Sequence, residues 1–176
     1  MKATLFCLIA GIATMVGGHV VSASERDIPN RKIDYPAFQK LVADVGPLRE
    51  KRRITEAEFI AIAAEPGTIV LDARSADKYA LRHIAGAVSL PFTDFTEESL
   101  AAAIPDKTTR VLIYCNNNFE GPAAQRAFPT KRADASLNIS TFVALATYGY
   151  TNVYELGPLL DVATAKVAFV GTEVTR

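Results

Sequence analysis

Four short apolar runs set the limits on what this chain can fold into: Thr68-Ile69-Val70-Leu71, Ala87-Val88-Ser89-Leu90, Val111-Leu112-Ile113-Tyr114 and Asn152-Val153-Tyr154-Glu155-Leu156. They are rich in β-branched and aromatic residues and are bounded by turn formers such as Pro66-Gly67, Pro91 and Pro105-Asp106-Lys107. Continuous apolar character over so few residues is the pattern of a strand covered on both faces. Helix signals lie between the runs. Thr55-Glu56-Ala57-Glu58 is a capping box ahead of Phe59, Ile60 and Ile62. Ser75 can cap a short helix containing Tyr79, and Thr96-Glu97-Glu98 opens one through Leu100 and Ile104. Ile139 to Tyr148 reads as helix, with Gly149 in the C′ position. Alternating strands and helices of this kind predict an α/β fold: a small parallel β-sheet flanked by helices on both faces.

Two segments precede that pattern. Residues 1–23 have the three parts of a secretory signal: Lys2 as the positive end, an apolar run from Leu5 to Val16, and Val21-Ser22-Ala23 at a cleavage position. The sequence therefore predicts an exported, periplasmic protein, with an uncleaved membrane anchor as the competing reading. Residues 24–53 read as a lead and a helix. Asp34 caps it, Pro36 sits in its first turn, and Phe38, Leu41, Val42 and Val45 follow helical spacing. Gly46-Pro47 is expected to end that helix, leaving Arg49-Glu50-Lys51-Arg52-Arg53 as a solvated segment.

Composition excludes several classes. The 176 residues carry 19 basic and 19 acidic side chains, which argues against a nucleic-acid binder working through a broad basic face. Two cysteines and two histidines are too few for a disulfide scaffold or a metal constellation, and no cofactor motif is present. Cleavage after Ala23 would remove Cys7 and His19, leaving Cys115 and His83. A lone cysteine cannot form an internal disulfide, so it is either an inert buried thiol or a reactive one.

Position favours attention to Cys115. It directly follows the third apolar run, as Asp72 follows the first. Parallel α/β sheets hold ligands beyond the C-terminal ends of their strands. After Cys115 come Asn116-Asn117-Asn118-Phe119-Glu120-Gly121, then Pro122 and a helix-like stretch from Ala123 to Phe128. Backbone N–H groups at such a strand-to-helix turn favour a thiolate and can cradle an anion.

At this point the residues reach a family. Val70-Leu71-Asp72-Ala73-Arg74, Tyr79 and Arg82-His83-Ile84-Ala85-Gly86-Ala87-Val88-Ser89-Leu90-Pro91 resemble the N-terminal signature of rhodanese-like domains. The strand ending at Cys115, Tyr148-Gly149-Tyr150 and Val153-Tyr154-Glu155-Leu156-Gly157 follow in the same order. The resemblance implies a rhodanese-like domain over about residues 54–170, with an insertion near 128–138. It implies sulfur transfer: Cys115 as nucleophile takes sulfane sulfur from a donor such as thiosulfate and passes it to a thiol or cyanide. Asn116, Asn117, Asn118, Phe119, Glu120 and Gly121 would then bind the substrate through their backbone, and Asp72, Arg74 and His83 would be structural supports.

The loop departs from the family pattern. It holds no Arg or Lys for an anionic donor, and it carries Glu120. Gly121 stands where phosphatase-like relatives need an Arg clamp, which argues against phosphatase chemistry. Lys131 and Arg132, in the insertion, are candidates for the missing charge. Two other readings stay open: a non-catalytic module binding a protein or small ligand, and a thiol redox sensor. Tyr148, Tyr150 and Tyr154 would give a binding module an aromatic face, or they pack internally.

Overall fold

The computed structural model describes residues 30–174; the signal assigned to residues 1–23 lies outside them. Residues 30–34 belong to a separate short unit, a turn in which the Ile33 N–H meets the Asn30 carbonyl. Everything from Tyr35 onward forms one compact unit.

The strands are β1 (Arg53–Ile54), β2 (Ile69–Asp72), β3 (His83–Ile84), β4 (Val88–Ser89), β5 (Val111–Tyr114), β6 (Phe119–Glu120), β7 (Val153–Leu156), β8 (Leu160–Asp161) and β9 (Phe169–Val170). The helices are α1 (Tyr35–Lys51), α2 (Glu56–Ala63), α3 (Ala76–Leu81), α4 (Glu97–Ala103) and α5 (Leu137–Thr147). The main sheet is parallel, in the order β1-β7-β5-β2-β4. All four β5 residues are buried. Their side chains alternate between two cores: Leu112 and Tyr114 join Phe59, Phe119, Phe128 and Leu156, while Val111 and Ile113 join Leu100, Ile104, Phe142 and Leu145. A period of two inside a fully apolar run thus fills both faces of the sheet, as the pattern predicted.

Local signals fix several ends. Thr55 accepts from the Glu58 N–H while Glu58 reaches back to the Thr55 N–H, so both halves of the capping box form. Thr55→Ala is expected to cost about 1 kcal/mol in a urea unfolding titration. Gly149 has φ of 85° and closes α5, with the Tyr150 N–H on the Leu145 carbonyl and its own on Ala146. That left-handed turn is the one a glycine adopts without a Cβ penalty.

Three expectations need correction. Helix α1 does not stop at Gly46-Pro47 but runs on to Lys51. Pro47 forfeits the hydrogen bond to the Ala43 carbonyl, yet Val45 packs on the core and Arg49, in the last turn, pairs with buried Glu155 at 2.7 Å. Tertiary contacts outweigh the local break. For the same reason the Arg49–Arg53 run is not merely a solvated segment: it ends the helix, forms β1 and pins both to β7. Finally, Ala123–Phe128 is a series of turns, not a helix. Ahead of it, Phe119 and Glu120 pair with β8. Gly121, at φ of 93°, lies so close to β8 that a Cβ would stand 2.8 Å from the Asp161 carboxylate.

Candidate active site

Cys115 follows β5 and is 1% exposed. It caps a 3-10 turn formed by Asn116, Asn117 and Asn118. The Cys115 N–H donates to Asn118 Oδ1 at 2.9 Å, and the Asn118 N–H donates to the Cys115 carbonyl at 3.2 Å. Ser136 Oγ lies 3.5 Å from the sulfur.

The three asparagines do different things. Asn118 is a buried hub. Its Nδ2 donates to the Leu156 carbonyl at 2.6 Å and to Pro158 at 3.2 Å, while its Oδ1 also accepts from Asn138 Nδ2 at 2.9 Å. It therefore ties the cysteine turn to the end of β7 and the start of α5. Asn117 exchanges two 3.0 Å bonds with the backbone of Lys131, holding the 128–138 segment against the turn. Asn116 is buried with Oδ1 unpartnered. It lines a cavity of about 280 Å³ at the C-terminal ends of β2 and β5, together with Arg74, Lys78, Thr93 and Lys131.

The rest of the predicted loop lies elsewhere. Phe119 is core: its ring centroid is 4.5 Å from that of Phe128, 5.1 Å from Phe169 and 6.0 Å from Tyr114. Glu120 is exposed on β6, and Gly121 turns the chain beside β8. Neither Arg126 nor Arg110 neutralises Glu120; they pair with Glu173 and Glu65. The backbone from 116 to 121 is thus a 3-10 turn running into a strand pair. The Asn118 and Phe119 N–H groups close that turn, on the carbonyls of Cys115 and Asn116.

Asp72 and Arg74 form a buried bidentate pair, with Nε to Oδ1 at 2.9 Å and Nη2 to Oδ2 at 2.6 Å. Arg74 also donates to the carbonyls of Ala127 and Arg82 at 2.8 Å each and lies 4.3 Å over the Phe128 ring. Burial works to lower the Arg74 pKa, but the hydrogen bond and charge of Asp72 more than offset it, so the guanidinium is held above its ordinary value. The Tyr114 hydroxyl donates to Asp72 and accepts from the Ile84 N–H. Burial, reinforced by the Asp72 charge, pushes the Tyr114 phenol well above its usual range. Its protonated form therefore stabilises the fold fully below the unfolded-state value of about 10, and that contribution is lost as pH rises beyond it. In an alkaline spectrophotometric titration one tyrosine is expected to ionise only with unfolding, and Tyr114→Phe removes that step.

His83 stacks on the Tyr79 ring at 3.6 Å, and its Nδ1 bonds the Tyr79 carbonyl at 2.7 Å. Tyr150 is buried with its hydroxyl on the Ile104 carbonyl, and Tyr148 bonds the Phe95 carbonyl. Tyr154 is covered by Arg52, 4.9 Å away. The three do not form one aromatic face. Among the described residues no group of three or more His, Cys, Asp or Glu gathers as metal ligands. No described helix is long and apolar enough to cross a membrane.

Sequence reasoning missed Ser136, Asn138, Arg49 and Glu155 around the cysteine turn. Their only local signal is the polar interruption of apolar segments, such as Glu155 within β7.

Comparison with known proteins shows the family. The family model described as "Rhodanese-like domain" matches residues 55–157, more than half of the chain. Thiosulfate sulfurtransferase PspE of Escherichia coli (strain K12) is 30% identical over 97 residues, covering 55% of this chain and 76% of the relative. Among solved structures, a rhodanese with anions from E. coli is 24% identical, covers 59% of this chain and 98% of its own, and superimposes with a TM-score of 0.40. The solution structure of an Anabaena rhodanese-like domain gives 17% identity, 71% and 83% coverage, and a TM-score of 0.48.

Proposed function

Because the chain belongs to the rhodanese-like domain family, we propose that it is a sulfurtransferase in which Cys115 carries sulfur as a persulfide. The observation that carries this reading is the sulfur's setting. Cys115 Sγ sits at the end of the central strand β5, with the Ser136 hydroxyl 3.5 Å away. Asn116, the next residue, lines a cavity together with Lys78 and Lys131 and no carboxylate. The two lysines supply the positive charge that the loop lacks for an anionic donor. The similarity to a thiosulfate sulfurtransferase supports thiosulfate as that donor. In the first step the Cys115 thiolate attacks the outer sulfur of thiosulfate; a new S–S bond forms, the old one breaks, and sulfite leaves with its electron pair. In the second, cyanide or a thiolate attacks the terminal sulfur, and the electrons return to Cys115. With the sulfur 1% exposed, both steps require the segment around Ser136 to shift.

The same burial favours a second reading, a rhodanese-like module that binds a partner without chemistry. Intact mass after incubation with thiosulfate separates the two. Transfer adds one sulfur, about 32 Da, to Cys115; a binding module stays at its starting mass with every sulfane donor. We also propose export to the periplasm, from the signal-like residues 1–23. The same mass measurement on protein recovered from cells tests it: a chain lacking those residues is expected, and a full-length cytoplasmic chain would overturn it.

A further inference from the structure

A second pocket, of about 250 Å³, opens on the other side of the cysteine turn. Its wall includes Arg49, Arg53, Ser136, Asn138 and Glu155, drawn from α1, β1, α5 and β7. Three buried polar atoms in this wall have no partner: Arg49 Nε, Asn138 Oδ1 and Glu155 Oε2. Asn138 and Glu155 are 2% and 4% exposed. The orientation of Asn138 is set by its neighbours. Its Nδ2 donates to Asn118 Oδ1, which leaves its oxygen as an acceptor without a donor. Glu155 uses only Oε1, which meets Arg49 Nη2 at 2.7 Å and Arg53 Nε at 4.0 Å. Arg53 is 42% exposed at the rim, and its Nη2 reaches the Gly157 carbonyl at 3.3 Å.

Unmet buried polar groups are costly, and their clustering around one pocket describes its occupant. Two acceptors call for a group with several N–H donors. Arg49 and Arg53 face Glu155 on one side and Glu50, at 3.3 Å from each, on the other. The charges balance, so a ligand of no net charge fits, and the unpartnered Arg49 Nε is the donor left for its acceptor group. An ammonium beside a carboxylate meets both demands, and the pocket's volume suits a single amino acid better than a larger ligand. The cysteine sulfur lies just past Ser136, at 3.5 Å from its hydroxyl.

We propose that this pocket binds an α-amino-acid thiol, with its ammonium on Glu155 and Asn138, its carboxylate on Arg49 and Arg53, and its sulfur toward Ser136. Resting on the sulfur-transfer reading above, the ligand is then the acceptor. Its thiolate, having released its proton to solvent, attacks the terminal sulfur of the Cys115 persulfide. The bond between the two persulfide sulfurs breaks, Cys115 leaves as thiolate, and the amino acid departs as its own persulfide.

The test uses the full chain and S-methylcysteine, which keeps both charged groups but cannot accept sulfur. Calorimetry or chemical-shift titration is expected to give millimolar or tighter binding. Analogues lacking the ammonium (3-methylthiopropionate) or the carboxylate (2-methylthioethylamine) should bind at least about tenfold more weakly, as should S-methylcysteine to Arg53→Gln. The analogue series needs no variant, so a folding defect cannot mimic the result. Equal binding of the three compounds, or none in the tens of millimolar, overturns the proposal and leaves the pocket to water. On thiosulfate-loaded protein, cysteine should show a KM about tenfold below those of 3-mercaptopropionate and cysteamine. If the charge-selective binding is seen but no sulfur loads onto Cys115, the pocket assignment stands and the sulfur-transfer reading falls.

Discussion

Cys115→Ser is expected to abolish the sulfur adduct and to lower thiosulfate turnover by about a thousandfold or more. Serine fits the space, and its hydroxyl can still meet the Ser136 hydroxyl that now lies 3.5 Å from Sγ. The fold should therefore be retained and the thermal midpoint little changed. What is lost is a thiolate: a hydroxyl is far more basic and forms no persulfide. With the segment 1–23 removed, Cys115 is the one cysteine left in the chain, so no second thiol can take over the sulfur. Intact mass with and without thiosulfate, together with thiocyanate formation from cyanide, reads both effects. A serine variant that still acquires the added mass would show that sulfur is held elsewhere, and Cys115 would lose its assigned role.

The largest expected effect on stability comes from the pair beneath the site. Arg74→Met is expected to cost about 3–5 kcal/mol in a urea titration, because it leaves a buried carboxylate without its cation. Asp72 is 0% exposed and Arg74 2%. The carbonyls of Ala127 and Arg82 would also lose their donors. Asp72→Leu combined with Arg74→Met should be less damaging than the sum of the two single changes, since neither charge is then stranded. A single variant costing under about 1 kcal/mol would mean that the pair is dispensable. Arg74 also anchors Ala127, in the turns that follow Gly121. The same variants should therefore raise proteolytic cleavage within residues 121–128 before global unfolding.

Much of this was legible from local pattern. Three of the apolar runs became β2, β5 and β7 because a strand covered on both faces needs apolar side chains, whereas the run at 87–90 gave only the short edge strand β4, with Val88 exposed. Capping residues at Thr55 and Thr96, and the glycine at 149, acted through contacts within a few residues. Asp72 and Arg74 were expected as structural supports through the family resemblance, and their contact spans only two residues. The failures were of the opposite kind. Pro47 was read as a helix end because its cost is local, whereas the compensating Arg49–Glu155 contact spans 106 residues. Ala123–Phe128 has helix-favouring residues, yet pairing of β6 with β8 redirects the backbone just before it.

By itself, then, the sequence determined that a parallel sheet would form and that Cys115 would stand at the end of one of its strands. Periodicity and position along the chain are enough for both. Which groups would surround that sulfur was decided only by the tertiary structure. The order β1-β7-β5-β2-β4 sets β7, with Glu155, beside β5. Around that edge α1 brings in Arg49, and the 128–138 segment brings Lys131 and Ser136. No local pattern encodes which strand lies next to which, because that choice depends on the joint burial of surfaces far apart in the chain.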